Sequence, residues 1–158
     1  MKKFFLLLPI LFFLSGCEGT SPQNSIPSQG IIEVDHNDID VEDIPILGGK
    51  KEVDFVFWNN GTEPVTLLEG ATSCMCTEGV VKKKGQVISP RITMAGHGTP
   101  EKINQTLAPG EEATLTAIFD PLAHGPNATG PVMREIILKT NSTQTPEISF
   151  RFLGNVVK

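Results

Sequence analysis

The sequence contains no tyrosine, one tryptophan and only three cysteines among its 158 residues. Without tyrosine, the tyrosine corner of antibody-type sandwiches cannot form, and Trp58 precedes Cys74 and Cys76 rather than lying between two cysteines. Because these two cysteines are two positions apart, they cannot link distant elements of a fold. The fold must therefore rest on an apolar core rather than on disulfide cross-links.

Helical periodicity and catalytic signatures are missing as well. No window longer than about ten residues holds a helical repeat of apolar side chains. The chain has no G-x-S-x-G elbow, no H-E-x-x-H pair, no P-loop and no C-x-x-C within a βαβ pattern. We therefore expect a protein that is not an enzyme.

The N-terminus has the pattern of a secretory signal. Lys2 and Lys3 precede an apolar run over residues 4–14, and 11 residues are too few to span a bilayer as a helix. The run ends in L-S-G-C, which resembles the lipobox of bacterial lipoproteins. That resemblance implies cleavage before Cys17 and lipidation of its thiol, whereas the alternative is an ordinary signal peptide with a chance cysteine.

The charge of the mature chain limits its partners. Cleavage would leave 142 residues with a net charge of −7, which argues against nucleic acid and against docking on anionic headgroups. Contact with the membrane would therefore come from the lipid. We expect a location in the bacterial cell envelope, with the domain outside the cytoplasm.

Three segments follow from this pattern: a lipoprotein signal peptide (1–16), the lipidated cysteine with a flexible tether (17–30), and one domain (31–158). The tether is polar and rich in proline and glycine. In the domain, apolar and polar residues alternate with the period of strands. Inward positions are assigned to Phe55, Phe57, Leu115, Phe119, Phe150 and Phe152.

Other strands are predicted over residues 31–34, 39–44, 65–68 and 136–138, with the strand at 65–68 returning after the Asn59-Asn60-Gly61 turn. Residues 79–109 are interpreted as an unusually long connection with at most one strand, over 86–92. Short strands between regular turns indicate an all-β fold, a β-sandwich.

Several motifs in this order resemble one family. They are F-V-F-W-N-N-G-T-E-P-V from Phe55, S-C-M-C-T from Ser73, P-G-E from Pro109, F-D-P from Phe119 and G-N-V from Gly154. Together they resemble bacterial domain-of-unknown-function family 1573 over roughly residues 31–157. The resemblance implies an immunoglobulin-like antiparallel β-sandwich related to the ASH and major-sperm-protein domains, and no established activity.

The C-x-C pair allows three interpretations. If it lies on a strand, Cys74 and Cys76 point to one face and offer two sulfurs to a soft or borderline metal. They can instead close a small disulfide, although an extended backbone places their Cα atoms near the upper limit for that bond. In the third interpretation they are two buried small apolar side chains.

Two histidines and one methionine complete a candidate metal site. His97 and His124 lie in loops rich in glycine and proline, where they can close over the sulfurs or remain solvated. Two cysteines with two histidines suit zinc, whereas Met94 would favour copper(I). No cofactor is certain from the sequence.

Three functions remain open at this point. The first is a non-enzymatic, lipid-anchored envelope protein that binds or scaffolds another envelope protein through edge strands or loops. The second is a copper- or zinc-handling lipoprotein that uses Cys74 and Cys76. The third is a thiol–disulfide redox protein.

Overall fold

Two five-stranded sheets pack face to face, as seen in a computed structural model that describes residues 25–97 and 100–158. The predicted immunoglobulin-like β-sandwich is confirmed. All strand pairs are antiparallel except one parallel pair at an edge of the second sheet. In the described part of the chain, no helix is long and apolar enough to cross a membrane.

The first sheet has the spatial order β1, β3, β8, β5, β6. Its strands are β1 (Ile32–Val34), β3 (Lys51–Asn59), β8 (Glu112–Phe119), β5 (Thr77–Lys83) and β6 (Gln86–Val87).

The second sheet has the order β2, β10, β9, β4, β7, and its parallel pair joins β2 to β10. Its strands are β2 (Asp38–Pro45), β10 (Glu147–Val157), β9 (Gly130–Thr140), β4 (Val65–Thr72) and β7 (Glu101–Leu107). A short 3-10 turn, Ala95–His97, precedes β7.

The core lies between the sheets and contains the six predicted inward side chains, each at most 2% exposed. Phe150 of the second sheet contacts Phe55 and Phe57 of the first, with ring centroids 5.5 and 5.4 Å apart. Phe119 and Phe152 meet edge to face at 5.7 Å. Such tilted aromatic pairs add to the stabilisation that comes from apolar burial.

The strand at Val65 does not return beside β3, so that prediction is wrong. The chain crosses from the first sheet to the second after Asn59. The buried amide of Asn59 supports the crossing, since its Nδ2 donates to the carbonyls of Glu63 (2.8 Å) and Leu107 (3.0 Å). This amide joins the two sheets.

The prediction of a long connection over residues 79–109 is also wrong, because this segment contains most of β5 and all of β6 and β7. Strand β5 buries Thr77, Gly79 and Val81, only one of which is a large apolar residue. The two-residue turn at Lys84-Gly85, with φ of 51° and 78°, joins β5 to β6.

The end of the predicted tether belongs to the folded domain. Ser28 is buried, its N–H donates to the carbonyl of Asn141 (2.9 Å), and its carbonyl accepts from the N–H of Thr143 (2.9 Å). A Cβ atom on Gly30 would collide with the backbone of Glu63. The boundary at residue 31 therefore moves towards the N-terminus. The signal peptide and Cys17 lie outside the described residues.

Candidate functional site

The C-x-C pair lies in the turn that carries the chain from β4 in the second sheet to β5 in the first. The N–H of Thr77 donates to the carbonyl of Cys74 (3.1 Å), which closes a β-turn over Met75 and Cys76. The hydroxyl of Thr72 lies 3.0 Å from the carbonyls of both Cys74 and Thr77. The N–H of Asp120 donates to the carbonyl of Cys76 (2.9 Å).

Placing the pair on a strand was therefore wrong. The turn brings the Cα atoms of Cys74 and Cys76 to 5.3 Å, the usual separation for a disulfide, and the two sulfurs are bonded. The extended backbone assumed from the sequence would have held them farther apart. Of the three interpretations of the pair, the structure shows the disulfide.

The two sulfurs have different surroundings. Cys76 is 2% exposed and packs with the core, whereas Cys74 is only half-buried. Cys74 also lines a shallow depression of about 250 Å³ together with Ser73, Met133, Arg134, Glu135 and Arg151. A molecule in solvent can therefore reach Cys74 and not Cys76.

Arg134 is the charged neighbour of Cys76. Its Nε–H donates to the Sγ of Cys76 (3.0 Å), and its guanidinium carbon lies 5.5 Å from the ring centroid of Phe119. Partial burial lowers the pKa of the Arg134 guanidinium, which nevertheless remains charged. A cation is thus fixed against the buried sulfur.

Arg134 was not predicted from the sequence, although a signal was present. Ile136 and Leu138 are buried, so the alternation of β9 also places Arg134 on the inner face. A charged residue in the inward register of a sandwich strand marks a group that needs a partner.

The structure brings His124 to the pair. This exposed side chain lies in the connection from β8 to β9, and its Nε2 is 3.7 Å from the Sγ of Cys74. The ligand atoms of Cys74, Cys76 and His124 all lie within 4.8 Å of one another. Their spacing suits a metal ion once the disulfide is reduced, because a thiolate is the ligand form of cysteine.

The other two candidate ligands are placed differently. The backbone of Met94 pairs with Thr72, two residues before Cys74. His97 ends the short 3-10 turn, and its side chain lies outside the described residues. Among the described side chains, the geometry brings together Cys74, Cys76 and His124.

Four exposed apolar side chains lie on the disulfide turn, on the connection after β8 and on one residue pair of β9 and β10. Met75 is 63% exposed, Leu122 41%, Met133 57% and Leu153 39%. Met133 and Leu153 are directly opposite on β9 and β10, so they share the outer face of the second sheet. Met75 lies in the turn itself, and Leu122 lies two residues after Asp120. We call these four residues the apolar rim.

No protein-family model matches the sequence, and no curated protein matches it. Among solved structures, a Porphyromonas gingivalis protein of unknown function is similar at 15% identity and a TM-score of 0.60, over 86% of this chain and 51% of that one. This chain therefore spans about half of that protein's length. The likeness shows a shared fold.

Two further solved structures are similar at lower scores. PapD-like domain 7 of human CEP192, an ASH/PapD-like domain, has 16% identity and a TM-score of 0.48 over 94% of this chain and 98% of that one. The E. coli chaperone DraB has 9% identity and a TM-score of 0.43, over 80% and 54%.

Proposed function

We propose that this chain is a non-enzymatic, lipid-anchored protein of the bacterial cell envelope whose sandwich binds a protein partner. Lipidation at Cys17 is supported by the L-S-G-C sequence after a short apolar run. Membership of family 1573 is part of the proposal and is supported by the ordered motifs and the sandwich fold. The acidic mature domain favours a protein partner over nucleic acid.

The end strands of the sheets argue against binding by strand addition. Strands β1 and β6 have three and two residues. Strand β2 carries four acidic residues and a bulge at Glu42 (φ 56°), and β7 is interrupted at Asn104 (φ 52°). Short, charged or bulged edges are how proteins block pairing with another chain.

The apolar rim is the observation that carries the binding proposal. Met75 lies in the disulfide turn and Met133 lines the depression beside Cys74, whereas solvent-exposed apolar residues are ordinarily scattered singly. Both are methionines, whose flexible thioethers adapt to partner surfaces. The partner therefore binds at the turn, loop and outer strand face beside the disulfide.

A photo-cross-linking amino acid at Met133 tests this surface, and Val87 is the matched control because both side chains are 57% exposed. In intact cells we expect a discrete cross-linked product from position 133 and none from position 87. Met75→Glu in the same chain should weaken that product by disturbing the rim. Equal labelling at both positions, or none at 133, would contradict the binding surface.

Metal handling is the second candidate function. The cluster of Cys74, Cys76 and His124, with ligand atoms within 4.8 Å, favours it. Copper(I) or zinc would bind the reduced pair, and Met94 favours copper. Arg134 would stabilise Cys76 as a thiolate, and its positive charge would repel a bound metal ion. The site should therefore prefer a metal ion whose positive charge is neutralised by the two thiolates.

A further inference from the structure

The Cys74–Cys76 disulfide is asymmetric in access and in charge. Cys74 lies at the surface depression, whereas Cys76 is 2% exposed and accepts the hydrogen bond from Arg134. Thiol–disulfide exchange depends on which sulfur can be attacked and on how well the other leaves as a thiolate. Both properties differ between the two sulfurs in the same direction.

We propose that this disulfide exchanges with low-molecular-weight thiols by attack at Cys74, with Cys76 as the leaving sulfur. The attacking thiolate forms a bond to the Sγ of Cys74 as the bond between the two cysteines breaks. The electron pair of the broken bond goes to the Sγ of Cys76. The products are a mixed disulfide on Cys74 and a Cys76 thiolate.

A second thiol completes the reaction. Its thiolate attacks the sulfur of the first thiol in the mixed disulfide and releases Cys74 as a thiolate. The two small thiols leave as one disulfide, having lost two electrons and two protons. Both electrons are gained by the cysteine pair, and the protons return to the cysteines through solvent.

Arg134 sets the direction of the first step. A guanidinium hydrogen bond stabilises a thiolate more than a neutral sulfur, so negative charge on Cys76 is favoured where it forms. A leaving thiol with a lower pKa departs faster. His124, with its Nε2 3.7 Å from the Sγ of Cys74, can then hydrogen-bond the released Cys74.

The first experiment locates the incoming thiol. The purified full chain in its disulfide form is mixed with glutathione, quenched rapidly with N-ethylmaleimide and sequenced by tandem mass spectrometry. We expect glutathione on Cys74 and N-ethylmaleimide on Cys76, on a peptide separate from that of Cys17. Glutathione on Cys76, or a disulfide that reacts only after urea is added, would overturn the proposal.

The second experiment tests Arg134 through the rate of reduction by glutathione. Arg134→Met should slow reduction by about 3- to 10-fold. Arg151→Met is the control, because Arg151 lines the same depression but its hydrogen bond goes to Asp38. Equal rates for both variants would remove Arg134 from the proposal.

Folding of Arg134→Met must be verified by circular dichroism, because the side chain also covers Phe119. If that variant does not fold, Arg134→Lys, which keeps the charge, replaces it, and the position of glutathione in the parent chain decides the attack site by itself. The proposal of a protein partner is tested separately from the exchange reaction. It depends on cross-linking at Met133, which does not require the disulfide to react.

Discussion

The Nε of Arg134 lies 3.0 Å from the Sγ of Cys76, although 58 residues separate them in the sequence. The inward register of β9 brings the guanidinium to this end of the sandwich, and the crossing from β4 to β5 brings the sulfur. Phe119 packs under the same guanidinium. The end of the apolar core is thus closed by a cation and a sulfur in contact.

Metal binding is expected only from the reduced pair. The reduced full chain should take up one copper(I) or zinc ion, and Cys74→Ser/Cys76→Ser should take up none. Affinity should rise as the pH rises through the thiol pKa values, because binding needs thiolates. Metal titration followed by mass spectrometry measures this.

His124→Ala is the partial control and should weaken metal binding without abolishing it, because both sulfurs remain. Met94→Leu should weaken copper(I) and leave zinc unchanged if the thioether is a ligand. If the reduced parent chain binds neither metal, the metal-handling function is contradicted, and disulfide chemistry remains as the role of the cysteine pair.

Membrane attachment is expected to depend on one thiol. Cys17→Ser should leave the protein unlipidated and move it from the membrane to the soluble fraction, since the anchor is the acyl chains. Cys74→Ser/Cys76→Ser is the control and should stay with the membrane. Fractionation and metabolic labelling with a fatty acid measure both, and a Cys17→Ser protein that still sediments with membranes contradicts the anchor.

The aromatic core should dominate stability. Phe150→Ala should lower the free energy of unfolding by about 3–5 kcal/mol, because it removes contacts with Phe55 and Phe57 and leaves a cavity. Leu47→Ala is the control, since Leu47 is 79% exposed. Chemical denaturation measures the free energy of unfolding of both variants. Similar losses would contradict the assignment of Phe150 to the core.

Glu111 predicts a pH dependence of stability. Its carboxylate accepts a hydrogen bond from the N–H of Ala108 (3.1 Å) and lies 3.2 Å from the Nζ of Lys83, and both contacts lower its pKa below the ordinary value of 4.5. A pKa lowered in the folded state stabilises the fold above the unfolded-state value, and this contribution disappears as the pH falls through the folded-state value.

Glu111→Gln should therefore lower the melting temperature at pH 7, and the difference from the parent should vanish in acid below the ordinary pKa. Lys83→Met should give a smaller loss, because the bond from Ala108 remains. Thermal unfolding across pH measures both. A difference that persists unchanged into strong acid would show that the carboxylate charge is not responsible.

The strands that sequence predicts well are those that bury large side chains at every second position. Strands β3, β8 and β10 are of this kind, and the P-G-E motif also forms the predicted turn, with Gly110 at φ 73°. Strand β5 was missed because Val81 is the one large apolar residue among its three buried positions. Strand β7 was missed because its buried residues, Ile103 and Leu107, are four positions apart across the interruption at Asn104, so apolar residues do not recur at every second position. Strand β5 pairs with β8 and strand β7 pairs with β4, and this long-range pairing specifies the two strands where the local sequence pattern does not.

The candidate site was predictable in part. Cys74, Cys76 and His124 were predicted from the sequence, and the structure brings them together. The two cysteines lie in a turn, however, and not on the strand that an alternating pattern assumes. No local signal separates a strand end from the turn after it. The inward position of Arg134 follows from the alternation of β9, but its contact with Cys76 and the pairing of Met133 with Leu153 depend on long-range packing and register.

Strand β9 connects two separate contact regions of the sandwich. Arg134, in the middle of the strand, touches the disulfide, and Asn141, just after its end, holds Ser28. At the rise of an extended strand, these contacts are roughly 20 Å apart. With Cys17 lipidated as proposed, the lipid would be joined to the domain on the side of Ser28, and we expect the sulfur of Cys74 to face the aqueous compartment instead of the bilayer.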